Sequence, residues 1–339
     1  MSLKKISEMT GVSISTVSRV LNNRDYNCAS EEIKNKIWAA AEEISYVPNE
    51  SARNLKLGQT RQTSTPARKL AVILERFHSL DDDPFFRELF RSVEQEAFAN
   101  GCTIRAACFS EANKEALFKE KADGYIILGR ASSQTLALMK KHSKNLVSVS
   151  RNPTNFELDE IICDGRSAAV CAMEHLISKG YWRIAYIGDC SYEDRYVGYC
   201  DTMIRHGLPM DYSRIIPTDQ TAKSGCAAMK KLLENNRELH AVDAVFCAND
   251  ATAIGALKGW NEWQVSDPSQ NKAAKMPAII SIDDIKAASE VTPSLTTVHI
   301  PHEDMGKTAV KVLLDRIKKG HAEKVRVEFS SRLVIRESC

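Results

Sequence analysis

Apolar residues recur at helical spacing through the first part of the chain: Leu3, Ile6 and Met9, then Val12, Val17, Val20 and Leu21, then Ile33, Ile37, Ala40, Ala41 and Ile44. Spacings of three and four put each set on one face of a helix. Ser2 is placed to cap the first helix, Gly11-Val12 to make a turn, and Ser13 to cap a second helix reaching Asn22. Ser30 followed by Glu31 and Glu32 predicts the start of a third helix, which Pro48 ends. Asn49 opens a short further helical segment that stops at Gly58. Residues 59–69 carry almost nothing apolar and predict a connector.

Beyond residue 69 the pattern changes to short apolar runs alternating with helical stretches. The predicted strands are Leu70 to Leu74, Cys102 to Ala107, Gly124 to Leu128, Leu146 to Ser150, Arg183 to Gly188, Ala244 to Cys247 and Ala278 to Ile282. Helices such as Phe85 to Asn100, Arg166 to Lys179, Arg195 to His206, Thr221 to Asn235 and Ala251 to Trp263 lie between them. That alternation predicts doubly wound parallel sheets with helices on both faces. The strands are too many for one compact sheet, so two lobes are expected, four strands in the first, with a break near residues 152–165. A late helix from His302 to Lys319 and strands Lys324 to Phe329 and Arg332 to Ile335 complete the chain, the tail crossing back between lobes.

Composition changes this picture little. The chain has 339 residues, 43% hydrophobic and 27% charged, with a formal net charge of +2, so overall charge does not announce a polyanionic partner. Lys4, Lys5, Arg19 and Arg24 against Glu8 give the N-terminal region a modest basic bias. The ten cysteines form no C-x-x-C pair and read as reduced core residues. The N-terminus lacks a secretory profile, and no apolar run approaches the ~18 residues of a spanning helix, so a cytoplasmic protein with no membrane partner is expected.

The second helix has the chemistry of a DNA reader. With Val17, Val20 and Leu21 inward, it presents Ile14, Ser15, Thr16, Ser18, Arg19 and Asn22 outward. In a helix-turn-helix such a helix enters the major groove, where Ser and Thr bond phosphates or bases, Arg binds guanine and an apolar tip meets a thymine methyl. A small helical bundle with an accidental polar face is the competing reading.

The motifs Leu3-Lys4-Lys5-Ile6, Gly11-Val12-Ser13, Thr16 to Asn22, Tyr46-Val47-Pro48-Asn49 and Ala52-Arg53-Asn54-Leu55 together resemble the DNA-binding head of the lactose and galactose repressor family. Further matches follow in family order: Asp83-Pro84-Phe85-Phe86, Arg183 to Gly188, Phe246 to Asp250, Asp283-Asp284, Leu295 to Val298 and Arg332 to Cys339. The resemblance implies that Ile14 and Ser15 choose operator bases, supported by Arg19 and Asn22. It implies backbone-positioning roles for Ser2, Ser13, Thr16, Ser18, Ser30 and Tyr46. It makes 49–58, with Asn49 and Arg53, a hinge helix whose Leu55 wedges between base steps in the minor groove. The loop Asn23 to Ala29 departs from the commoner family loop, and its role stays open.

Two lobes form a crevice beyond the carboxyl ends of their strands, a natural small-molecule site. The resemblance places a sugar or, in one branch, a purine there, at positions matching Phe85, Phe86, Arg195, Asn249 and Asp283. Ser150, Asp164 and Gln220 lie at further lining positions. Asn249 equally fits a helix cap, Arg195 and Asp283 equally fit structural ion pairs, and one of the two phenylalanines is expected in the core. The family more often has an acid at Ser150 and an aromatic at Gln220, which leaves the particular sugar open.

An enzyme is the rival class, but the chain has no G-x-G-x-x-G, P-loop, G-x-S-x-G or H-E-x-x-H, and no catalytic residue, cofactor or metal site is implied. The fold expected is an all-α helix-turn-helix head plus an α/β two-lobed, periplasmic-binding-protein-like effector domain. The segments are 1–48 as head, 49–58 as hinge, 59–69 as linker and 70–339 as effector and dimerisation domain. The function expected is a homodimeric repressor of carbohydrate-utilisation genes, bound to a pseudo-palindromic operator and released by a sugar. A corepressor-dependent regulator sensing a nucleobase, or a sugar-binding or sugar-modifying protein without regulation, are the alternatives.

Overall fold

The computed structural model describes residues 3–21, 29–43, 67–75, 83–108, 118, 121–191, 193–235, 242–266 and 275–339. The predicted hinge, 49–58, lies outside them, as do Ser2, Asn22, Tyr46, Asn49, Arg53 and Leu55.

The head is three helices, α1 (Leu3–Thr10), α2 (Ile14–Leu21) and α3 (Glu31–Glu43). They close on Ile6, Val17, Val20, Leu21, Ile37, Ala40 and Ala41, with Leu3, Val12 and Trp38 packed against this core. Met9 and Ile33, at the ends of their apolar stripes, are exposed, since a core of three short helices covers less surface than a large domain does. Gly11 makes the turn between α1 and α2 at φ 69, a left-handed conformation that glycine adopts without a Cβ penalty. Ser7 Oγ donates to the Val12 carbonyl at 2.6 Å and holds that turn shut.

The rest of the chain forms two parallel sheets. The first contains β1 (Lys69–Leu74), β2 (Thr103–Cys108), β3 (Gly124–Leu128), β4 (Leu146–Ser150), β5 (Asp159–Ile162) and β11 (Arg326–Glu328), in the order β11-β5-β4-β3-β1-β2. The second contains β6 (Ile184–Gly188), β7 (Ile215–Pro217), β8 (Ala244–Cys247), β9 (Ala278–Asp283), β10 (Thr296–His299) and β12 (Arg332–Val334), in the order β12-β10-β9-β8-β6-β7. All pairings are parallel except that of β10 with β12. Buried on both faces, β3 and β1 after Lys69 are nearly continuous apolar runs rather than alternating ones, and β4 is buried throughout although it carries Ser148 and Ser150.

Helices α4 (Pro84–Ala99), α5 (Ser133–His142), α6 (Gly165–Ser178), α7 (Asp194–Arg205), α8 (Ala222–Asn235), α9 (Asp250–Ser266) and α10 (His302–Ile317) cover the sheets. The chain passes between lobes three times: from β5 into α6, from β10 into α10, which packs on α4 and on β3, β4 and β5, and from β11 to β12. The first sheet thus has six strands where four were expected. Three strands, β5, β7 and β10, are not among the predicted ones: they carry Asp159-Glu160, Pro217 and Thr296-Thr297, so none shows as an apolar run.

Candidate DNA-reading surface and effector crevice

In the head, Ser13 precedes α2 and its Oγ accepts from the Thr16 amide at 3.2 Å, the side-chain cap that the sequence predicts. Its Oγ also lies 2.9 Å from the hydroxyls of Ser15 and Thr16. Ile14 is 47% exposed although it is the first residue of an amphipathic helix, and Ser15 and Arg19 are exposed beside it. Thr16 and Ser18 are half-buried at the edge of the same face. An apolar tip, a hydroxyl and a guanidinium therefore share one unpacked surface, a combination suited to base edges. Ser30 precedes α3, and its Oγ accepts from the Ile33 amide at 3.4 Å, so it is a cap as well as a surface hydroxyl.

All eight residues expected in the crevice lie past the carboxyl ends of strands or at the helix starts that follow. Asp83 caps α4 by accepting from the Phe85 and Phe86 amides. Both phenylalanines are buried, not one, and they meet edge to face at 5.3 Å. Ser150 ends β4, and its Oγ accepts from the Asn152 amide at 3.0 Å. Asp164 caps α6 through the amides of Arg166 and Ser167.

Three of the remaining four, Arg195, Gln220 and Asn249, form one polar network, and Asp283 pairs separately with Arg151. Arg195 is 2% exposed and makes a two-pronged ion pair with Glu193, at 2.7 and 2.9 Å. It also donates to the Ala248 carbonyl at 2.6 Å and to Gln220 Oε1 at 2.9 Å. Burial by itself would raise the Glu193 carboxyl, but the charge and hydrogen bonds of Arg195 outweigh it and hold the group down at about 2. Asn249 Oδ1 accepts from the Thr252 amide at 3.0 Å, so it does cap α9, while its Nδ2 donates to the Gln220 carbonyl at 3.1 Å. Close packing of α8 on α9 sets Gln220 beside Asn249: a Cβ at Gly255 would lie 2.0 Å from the Ala222 carbonyl oxygen.

Asp283 is buried at the end of β9 and pairs with Arg151, whose guanidinium sits 4.4 Å above the Phe85 ring and 5.6 Å from that of Phe86. Burial raises the Asp283 carboxyl, and Arg151 opposes that rise. Asp250 holds the loop behind it, accepting from the Ile285 amide at 2.8 Å and the Thr297 hydroxyl at 2.6 Å. Backbone strain is concentrated in the same place, with φ 65 at Gln220, 132 at Asp283 and 60 at Asp284.

Sequence reasoning left several of these partners out of the site. Arg151 directly follows the lining position Ser150, and Glu193, two residues before Arg195, carried no signal beyond its charge. Arg130, at the end of β3, donates to Asp189 at 2.9 Å and to the Ser191 carbonyl at 2.8 Å in the other lobe. Arg130 and Arg151 thus both tie the first lobe to the second across the crevice mouth. Among the described residues no group of three or more His, Cys, Asp or Glu is placed to hold a metal ion, and no helix is long and apolar enough to cross a membrane.

Residues 2–49 match the family described as bacterial regulatory proteins, lacI family, and residues 173–339 match the periplasmic binding protein-like domain. The ribose operon repressor of Escherichia coli (strain K12) is 30% identical over 349 residues, covering 99% of both chains. The HTH-type transcriptional repressor PurR of Aliivibrio fischeri (strain ATCC 700601 / ES114) is 28% identical, covering 99% of this chain and 97% of its own. Among solved structures, the transcriptional regulator CelR in complex with cellobiose superposes over the whole of both chains with a TM-score of 0.70 and 26% identity.

Proposed function

Because the chain belongs to the lacI family of bacterial regulatory proteins, we propose that it is a sugar-responsive repressor of carbohydrate-utilisation genes. It works in the cytoplasm as a homodimer on a pseudo-palindromic operator and has no enzymatic activity. One observation carries the reading: a helix with Ile14, Ser15 and Arg19 exposed on one face stands in the same chain as a crevice that two interlobe ion pairs span.

In this reading residues 1–48 form the head, 49–58 the hinge, 59–69 the linker and 70–339 the effector and dimerisation domain. Ile14, Ser15 and Arg19 read bases, and Leu55 is the minor-groove wedge. Phe85, Phe86, Ser150, Asp164, Arg195, Gln220, Asn249 and Asp283 shape the effector site. A sugar that binds one lobe arrangement better than the other shifts the population of that arrangement, and with it the spacing of the two heads.

The test is selection of duplexes from a random-sequence library by the full-length chain, followed by binding titrations at fixed salt with and without sugars. A palindromic consensus whose affinity falls on adding a sugar is expected. Affinity that rises with ligand makes the chain a corepressor-dependent regulator, and a library with no enriched sequence overturns the reading.

A further inference from the structure

The crevice holds one buried polar group whose hydrogen-bonding capacity the protein leaves unused. Gln220 is 6% exposed, and its Nε2 has no hydrogen-bond partner among the described residues. Its Oε1 accepts from Arg195 Nη2 at 2.9 Å, and its backbone carbonyl accepts from Asn249 Nδ2 at 3.1 Å. The orientation of the carboxamide is fixed by chemistry. Turning it over would aim the NH2 at a guanidinium that is itself immobilised by Glu193 and the Ala248 carbonyl, setting donor against donor.

Leaving a buried amide donor without an acceptor costs stability, and so does a left-handed backbone at a glutamine, yet Gln220 has both. The bond from Arg195 accounts for the carbonyl half of the carboxamide, but nothing among the described residues uses its NH2 half. No carboxylate among the described residues accepts from this donor. Glu193 is held by Arg195, Asp283 by Arg151, and Asp83 by the amides of Phe85 and Phe86.

Resting on the effector reading above, we infer that Gln220 is the specificity-determining residue of the crevice: its Nε2 donates to an oxygen acceptor of a polyhydroxylated effector. That acceptor is a ring, glycosidic or carboxylate oxygen. A side chain built this way selects by a directed hydrogen bond rather than by covering an apolar sugar face, and sites of that kind reject analogues lacking the bonded atom far more strongly than apolar pockets do.

The test is thermal unfolding of the full-length chain with D-ribose, D-glucose, cellobiose, sucrose, D-gluconate and D-glucuronate, each titrated against wild type, Gln220→Glu and Gln220→Leu. Gln220→Glu keeps an oxygen toward Arg195, removes the donor and adds a negative charge, whereas Gln220→Leu removes the donor without adding one. The expected result is that a compound stabilising wild type binds at least about tenfold more weakly to both variants. For a sugar acid, Gln220→Glu loses more than Gln220→Leu through like-charge repulsion, and for a neutral sugar the two lose alike. Equal binding to wild type and Gln220→Glu overturns the inference while leaving the effector site intact. Large destabilisation of both ligand-free variants also overturns it, by making Gln220 a structural residue. A panel in which nothing stabilises wild type overturns the sugar reading itself.

Discussion

Arg151, from the end of β4 in the first lobe, reaches across the crevice to pair with Asp283 at the end of β9 in the second, while its guanidinium lies over the Phe85 ring at 4.4 Å. The pair is buried on both sides, so each charge depends on the other for solvation.

Removing one member strands the other. Arg151→Met and Asp283→Ala are each expected to destabilise the chain by about 3–5 kcal/mol. The double variant should lose clearly less than the sum, a coupling that denaturant unfolding of all four proteins would measure. Strict additivity would mean that the two side chains do not support one another in solution.

Glu193 links stability to pH. Its carboxyl sits at about 2 in the folded chain, below the ~4.3 of an unfolded glutamate, so its contribution is fully present above roughly pH 5. It is lost as the pH falls from there towards 2, because the unfolded chain takes up the proton first. Glu193→Gln should flatten the stability profile between pH 5 and 3 and lower stability at pH 7. Profiles of the two proteins that stay parallel through that range would contradict the assignment.

Arg19 tests the reading surface. Arg19→Ala should weaken the selected duplex by about 1–3 kcal/mol and relax base preference at one position of each half-site. An exposed side chain outside the head core should leave the unfolding temperature nearly unchanged. A uniform loss across all sequences would instead make Arg19 a phosphate contact.

Gly255 tests how the crevice is positioned. A methyl group there would meet the Ala222 carbonyl oxygen, so Gly255→Ala must push α8 off α9. Overpacking of this kind costs about 1–3 kcal/mol. It should also weaken effector binding, because Gln220 and Asn249 precede those two helices. Loss of stability with unaltered sugar affinity would show that the helix contact does not set the site.

The sequence by itself determined what local chemistry can encode. Gly11 and Ser13 specify the turn and cap before α2, and the stripe Val17, Val20 and Leu21 leaves Ile14, Ser15 and Arg19 on the outer face, which needs nothing beyond helical periodicity. Apolar runs flanked by helices predicted the parallel sheets and a crevice past the strand ends, and the family resemblance assigned Phe85, Asn249 and Asp283 to that crevice. Tertiary structure alone decided which side chains meet there. Arg151 and Asp283 are 132 positions apart and pair only because the chain crosses between lobes three times. Whether Gln220 presents a donor or an acceptor depends on the orientation of Arg195, and that on Glu193. Such pairings arise from the packing of separate elements, and no periodicity along a single chain records them.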